Sequence, residues 1–445
     1  MNQSANQQFM WETQAAASSW LNNQISQFGD STGKFLQIIQ SQLQDKTGTR
    51  LTDWLDFIRV CDTSNDQLRE LGFEQDTSAE NVWRHPGGIF PTVLIGSTQT
   101  LGIKVDSVDD YVARNHGESD FQVTGDSHSQ IRLATMKIGE QEFVAVERHG
   151  FNGFDIEKAR SVETTKELEL FTNRPRNSQD EAADFAVAIE LFKSVSQTVG
   201  RDWACDLFFQ AERNYWMSRN KAARIQKARQ DQLGLGWANH DHHTYRCSRE
   251  HFARIVHALE TMGFVCREQF YAGEQAGWGA QVLEHPTCGI VIFADVDMTP
   301  EEVTGDFAHQ GLPARRELGT VGLWCKLHGE AFLSAGMHHL ECQFDFDRCR
   351  SQLADEGINT MKPFTDFPFL RQAFTEGEVW QIPQARLESL VDAGSITSEQ
   401  AESFSQNGAI GSHLEILERN DGYKGFNQTG ISDIIQKTDP RRFAK

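Results

Sequence analysis

The chain has 445 residues, with 63 acidic against 42 basic side chains and a formal net charge of −21. That length exceeds one ordinary core and predicts two domains, while the acidity argues against nucleic acid or an anionic membrane surface as a partner. No apolar run approaches a membrane span, and the opening MNQSANQQFMWETQ lacks the basic-then-apolar order of a signal peptide. The eight cysteines form no C-x-x-C pair, so reduced thiols in a cytoplasmic protein are expected.

Residues 1–48 are rich in Gln, Asn and Ser but hold Trp20, Ile25, Phe35, Ile38, Ile39 and Leu43. This predicts helices packed on the segment that follows, after a frayed start. Residues 49–175 carry four landmarks: LRELGF (68–73), RHPGGIFPTVLI (84–95), TLGIKVD (100–106) and VERHGFNGF (146–154). Residues 176–235 then change character. A capping box, Ser178 with Glu181, opens an apolar helical stripe through Phe185, Ile189 and Phe192. The stretch from Trp203 to Leu233 reads as a second helix, its basic end a solvated face.

Residues 236–440 repeat the four landmarks in order, as LETMGF (259–264), EHPTCGIVIFADV (284–296), HLECQFD (339–345) and LERNDGYKGF (417–426). Chance similarity does not keep order over so long a span. Around the first landmark Phe252, Ile255, Val256, Leu259 and Met262 form one helical stripe, stopped by Gly263. Apolar strands flank a Pro-bearing turn next. Each unit therefore reads strand–helix–strand–strand–strand, two units per half. The predicted class is α+β, tandem paired βαβββ modules with added helices.

The second half opens with NHDHHTYRC (239–247), a polar strand that would be costly to bury unpaired. Aligning the halves sets His242 against Phe57, Arg246 against Cys61, His339 against Thr100 and Glu415 against Val144. Two histidines and a carboxylate are thus present in one copy and jointly absent from the other. That pattern fits a duplicated domain in which one copy has abandoned a metal. Strand alternation places His242, Thr244 and Arg246 on one face, and His339, Glu341 and Gln343 on another. Glu415 shares a face with His413 and Arg419, whereas Glu418 falls on the other side. His240, His243 and His338 are assigned supporting roles, although a slip of one residue would exchange them with the ligands. Two imidazoles and one carboxylate leave coordination positions open, which suits a non-haem Fe(II) enzyme; a structural zinc site would close its shell with four ligands.

The stretches NHDHHTYR, LEHPTCGIVIFADV, GMHHLECQF and LEILERNDGYKGFNQTGISDIIQKTD resemble the 2-oxoadipate dioxygenase/decarboxylase family of the vicinal-oxygen-chelate superfamily. The resemblance covers roughly residues 236–440 and implies an open barrel of paired modules around one Fe(II) per chain. It implies His242, His339 and Glu415 as metal ligands and Arg246 as a catalytic, substrate-binding residue that grips a carboxylate. Arg419 is expected to hold the distal carboxylate or to brace Glu415. The implied substrates are dioxygen and a 2-oxo dicarboxylic acid such as 2-oxoadipate, converted to a hydroxy acid and CO2. Two other readings are open. One is a different metalloenzyme on the same scaffold, a glyoxalase-like isomerase or extradiol-type dioxygenase, with Asp295 or Asp297 as a fourth ligand in the isomerase. The other is a non-catalytic ligand-binding protein.

Overall fold

In the computed structural model, which describes residues 11–77, 79–115, 121–177, 180–274, 276–427 and 439–442, the sequence repeat is a repeat of topology. The first half runs β1 (Leu55–Val60), a helix, β2 (Glu74–Gln75), β3 (Val82–Arg84) and β4 (Thr92–Ile95). It continues with β5 (Thr100–Lys104), a helix, β6 (Gln122–Thr124), β7 (Ile131–Ile138) and β8 (Gln141–Arg148). In the second half β9 (His240–Arg246) and the helix Phe252–Met262 lead to β10 (Val265–Tyr271), β11 (Trp278–Glu284) and β12 (Val291–Asp297). Then come β13 (His339–Gln343), a helix, β14 (Thr365–Phe367), β15 (Leu370–Phe374), β16 (Glu378–Trp380) and β17 (Ala409–Arg419).

The strand orders match: β2-β3-β4-β1-β5-β8-β7-β6 against β10-β11-β12-β9-β13-β17-β15-β14, with β16 as an extra partner of β17. In both sheets the first strand of a module lies parallel to its last, and the two modules meet along an antiparallel seam, β1 with β5 and β9 with β13. This is the expected α+β architecture of tandem βαβββ modules. Each seam carries a bulge, before Phe57 and before His242.

Helices Ala15–Thr32 and Phe35–Thr47 share the apolar core of the first half. The stretch expected as one helix after residue 203 is two, Arg201–Ser218 and Lys221–Asp231. Asn220 causes the break by taking extended backbone and accepting the Ala223 N–H. Its basic end is not wholly solvated, because Arg229 is buried against the Lys46 carbonyl and Gln226. The helix Glu181–Val199 is capped by Asp180, whose side chain accepts from Ala183; Ser178 of the expected capping box lies outside the described residues, as do positions 1–10 and 428–438. Among the described residues no helix is long and apolar enough to cross a membrane. All eight cysteines are free; Cys61 and Cys266 are exposed.

The halves touch where the turn after β3 meets the loop after β17. Ile89 N–H donates to Gly422 O at 2.9 Å, and Arg50 reaches Asn420 Oδ1 at 2.7 Å and Arg419 O at 3.2 Å.

Inside the first half, Phe57, Val82, Leu94, Val144 and Val146 form an apolar plug. Gly102 permits it, since a Cβ there would stand 2.3 Å from the Phe57 ring. Gly102→Ala should therefore destabilise the protein by about 1–3 kcal/mol through overpacking, and urea unfolding followed by circular dichroism checks this. An unchanged midpoint would show that the plug is loose.

Candidate metal centre

The ladders place the second half's polar residues at the positions of that plug. His242 faces Glu341 across the β9–β13 seam, and Glu341 sits beside Glu415 in β17. The same rungs in the first half hold Phe57, Gly102 and Val144, with Thr100 in the place of His339. Ligand atoms of His242, His339 and Glu415 all lie within 4.8 Å of one another, and all three residues are buried. His339 Nε2 stands 2.9 Å from Glu415 Oε2. Two donors bound at about 2.1 Å and at right angles around one cation would be roughly 3 Å apart, so that edge fits a metal.

The surrounding hydrogen bonds orient this set. His242 Nδ1 meets Glu341 Oε1 at 3.0 Å and Asp241 Oδ1 at 3.4 Å, which leaves Nε2 for a ligand role. Gln372 Nε2 donates to both Glu341 Oε2 and Glu415 Oε1 at 3.1 Å. His338 Nδ1 pairs with His339 Nδ1 at 2.9 Å. Burial, then the neighbouring Glu341, pushes the Glu415 carboxyl well above the usual range, a strain that a bound cation relieves. Burial pulls His242 down, but Glu341 and Asp241 outweigh it and hold the imidazole at about 9.

The three residues border a cavity of about 70 Å³ walled by Phe270, Trp278, Phe293, Phe374 and Phe426. Arg246 enters the same cavity, 5% exposed, with its guanidinium over Trp324 and no hydrogen bond to any described residue. Asp295 faces it across the β9–β12 ladder. Burial raises the Asp295 carboxyl to about 7, against the opposing pull of Arg246 and His242.

Of the two roles expected for Arg419, its contacts are those of a brace, on Asp241 rather than on Glu415. It grips Asp241 through two bonds of 3.0 Å and donates to the carbonyls of Tyr423 and Gly425, so no donor fork is left to hold a substrate carboxylate. Arg148 makes the same pair of bonds to Asp56, at 2.8 Å, and donates to Phe151 O and Gly153 O in the half without ligands. A contact present in both copies belongs to the scaffold; Arg419 is a brace.

Asp297, weighed as a fourth ligand, accepts the N–H groups of Gly319, Val321 and Gly322 at the start of helix Thr320–His328. Asp295 joins none of the potential ligand groups among the described residues. Glu418 accepts the Phe346 N–H at a helix start, and His240 and His243 stack edge-on away from the cavity. The expectations missed Glu341 and Gln372. Glu341 alternates with His339 on a polar strand face, so its signal was present; Gln372 arrives from β15 with none.

No family model and no curated protein matches the chain. Among solved structures, a mutant 4-hydroxymandelate synthase from Streptomyces coelicolor aligns over 88% of this chain and 99% of its own, at 12% identity and TM-score 0.28. A xylose isomerase-like TIM barrel/4-hydroxyphenylpyruvate dioxygenase fusion protein aligns over 93% of this chain and 58% of its own, at 10% identity and TM-score 0.24. Methylmalonyl-CoA epimerase from Mycobacterium tuberculosis covers 40% of this chain and 87% of its own, at 13% identity and TM-score 0.24. The fold rests on strand order and register, not on these likenesses.

A metal bound by this set would have to displace the proton from His242, which its carboxylate neighbours hold to about pH 9. Divalent-metal affinity should thus rise at least about tenfold per unit between pH 6 and 8, with one ion per chain in chelator competition. His242→Ala or His339→Ala should abolish binding, and retention of the ion in both would remove these residues from the site.

Proposed function

We propose that the protein is an Fe(II)-dependent dioxygenase/decarboxylase that converts a small 2-oxo dicarboxylic acid, of the 2-oxoadipate type, to a hydroxy acid and CO2. The observation that carries this reading is a three-donor set sharing one cavity with a buried arginine that has no hydrogen-bond partner among the described residues. Bound Fe(II) would supply open positions for the 2-oxo acid and dioxygen.

The chain's own residues set what enters. Arg246 lies four residues beyond His242 on the same strand face, about 13 Å along the strand. Its planar fork suits the distal carboxylate of an acid whose 2-oxo end lies at the metal. The aromatic walls lower the local dielectric and would strengthen that ion pair. The cavity holds on the order of five water-sized groups, which favours a compact acid over a coenzyme thioester. Gln372 fixes Glu415, and Glu341 with Asp241 fixes the imidazole of His242. Asp295 faces Arg246 from the neighbouring strand and offsets its charge through space, without a bond that would occupy its fork. On this reading residues 236–440 form the catalytic half and residues 49–175 a metal-less counterpart. The isomerase alternative loses support because Asp297 is occupied at a helix start.

Loaded with Fe(II), the protein should consume dioxygen and release CO2 when given five- or six-carbon 2-oxo dicarboxylic acids. Arg246→Lys keeps the charge but loses the two-point contact, and should weaken substrate binding by about 1–3 kcal/mol with the metal retained. Glu415→Gln should strip the iron. Turnover of a thiohemiacetal or a catechol, with no oxygen uptake on any 2-oxo acid, would transfer the site to the isomerase or extradiol class.

A further inference from the structure

A second and larger chamber, about 510 Å³, opens between the two halves. It is bounded by β1, β5 and β8, the helix Arg201–Ser218, the start of β9 and the turn 286–289. Most charges on its wall are already matched. Arg148 and Asp56 hold each other, Lys227 holds Asp231, and Arg84 donates to Asp76, Thr92 and the Asn152 carbonyl. His149 sits between Glu147 and Asp206 at 2.9 and 3.0 Å; although burial opposes its charge, these carboxylates hold it as an imidazolium to about pH 10. Asp106 accepts the Trp237 N–H, and Asp110 stands exposed at the rim.

Two cations remain. Lys104 makes no hydrogen bond or ion pair with any described residue, and burial pushes its ammonium down. Arg213 is 8% exposed, forms no ion pair among the described residues, and reaches only the His243 ring nitrogen, at 3.5 Å. His240, on the same wall, has a buried Nδ1 without a partner. Lys104, half-buried, feels Asp56, Asp241 and Asp53 only through space, and Arg213 feels Asp106 in the same way, so neither has a carboxylate at contact distance among the described residues and an anion between them would supply one.

The duplication supplies a control. Lys104 occupies the ladder position of Gln343, one step past Gly102 as Gln343 is one step past Glu341. Gln343 donates to Asp241 at 3.0 Å beside the two bonds from Arg419, whereas Lys104 makes no such bond to Asp56 beside Arg148. The scaffold therefore does not require a lysine there.

We propose that this chamber binds a compact anion, a short dicarboxylate or inorganic phosphate, between Lys104 and Arg213. The site is independent of the metal centre, yet it touches the same strand, because Arg213 bonds His243, the neighbour of His242.

Isothermal titration of the full chain with glutarate and with inorganic phosphate, in the Arg246→Lys background to weaken the first cavity, tests this. One equivalent of at least one anion should bind, and Lys104→Gln, which installs the residue of the other half, should weaken it tenfold or more. Arg213→Gln should do the same; if that variant fails to fold, Lys104→Gln decides alone. Phosphate without glutarate, or the reverse, supports the site and names its ligand class. Binding weaker than about 10 mM for both, or affinity unchanged in Lys104→Gln, overturns the proposal.

Discussion

The ion pair between Arg419 and Asp241 ties the last strand of the second half to its first. Asp241 precedes His242 at the bulge in the β9–β13 seam, where the extra residue turns a side chain that would otherwise face away. Arg419 then fixes it through two bonds while gathering the carbonyls of the following loop. The pair is almost fully buried, so losing one partner would cost about 3–5 kcal/mol. With Asp241 pinned, His242 Nδ1 has an acceptor and His242, His339 and Glu415 meet from three strands. The first half keeps the same pair, Arg148 with Asp56, around a plug instead of a cavity. The brace therefore belongs to the scaffold that both halves share, whatever fills their centres.

Both interiors obey one packing rule. A barrel centre must be filled by side chains or by something bound, since voids forfeit contacts. Phe57 fills one centre because Gly102 lets its ring lie flat over β5. In the other centre Glu341 stands where that glycine is, with Gln372 and Glu415 around it. Replacing an aromatic ring and a glycine by an imidazole and a carboxylate puts potential ligand atoms where the other half has packing, on the same strand order and register.

Much of this was legible in the sequence because the chain carries its own comparison. Landmark order revealed the modules, and the joint loss of His242, His339 and Glu415 from one copy singled out residues that a single domain would have hidden among other buried polars. What stayed illegible depends on distant partners. Strand alternation put Arg419 on the correct face but could not show that Asp241, 178 residues away, already held it. Asn220 is a favoured N-cap residue and so carried a local signal for the break, one masked by strong helix formers on both sides of it. Gln372 lies on a strand whose sequence neighbours say nothing about the site.

The contact between the halves gives the first one a part in shaping the second one's cavity. Phe426, a wall of the cavity, follows directly on the loop that Ile89 and Arg50 hold through Gly422, Asn420 and Arg419. The first half is thus a mould for part of the second. Its interior is free to drift so long as it stays filled, while the outer turn 84–90 inherits selection from a site it does not enter. Divergence in such a duplicated protein should run from the inside outward, the reverse of an ordinary domain, in which the core changes last.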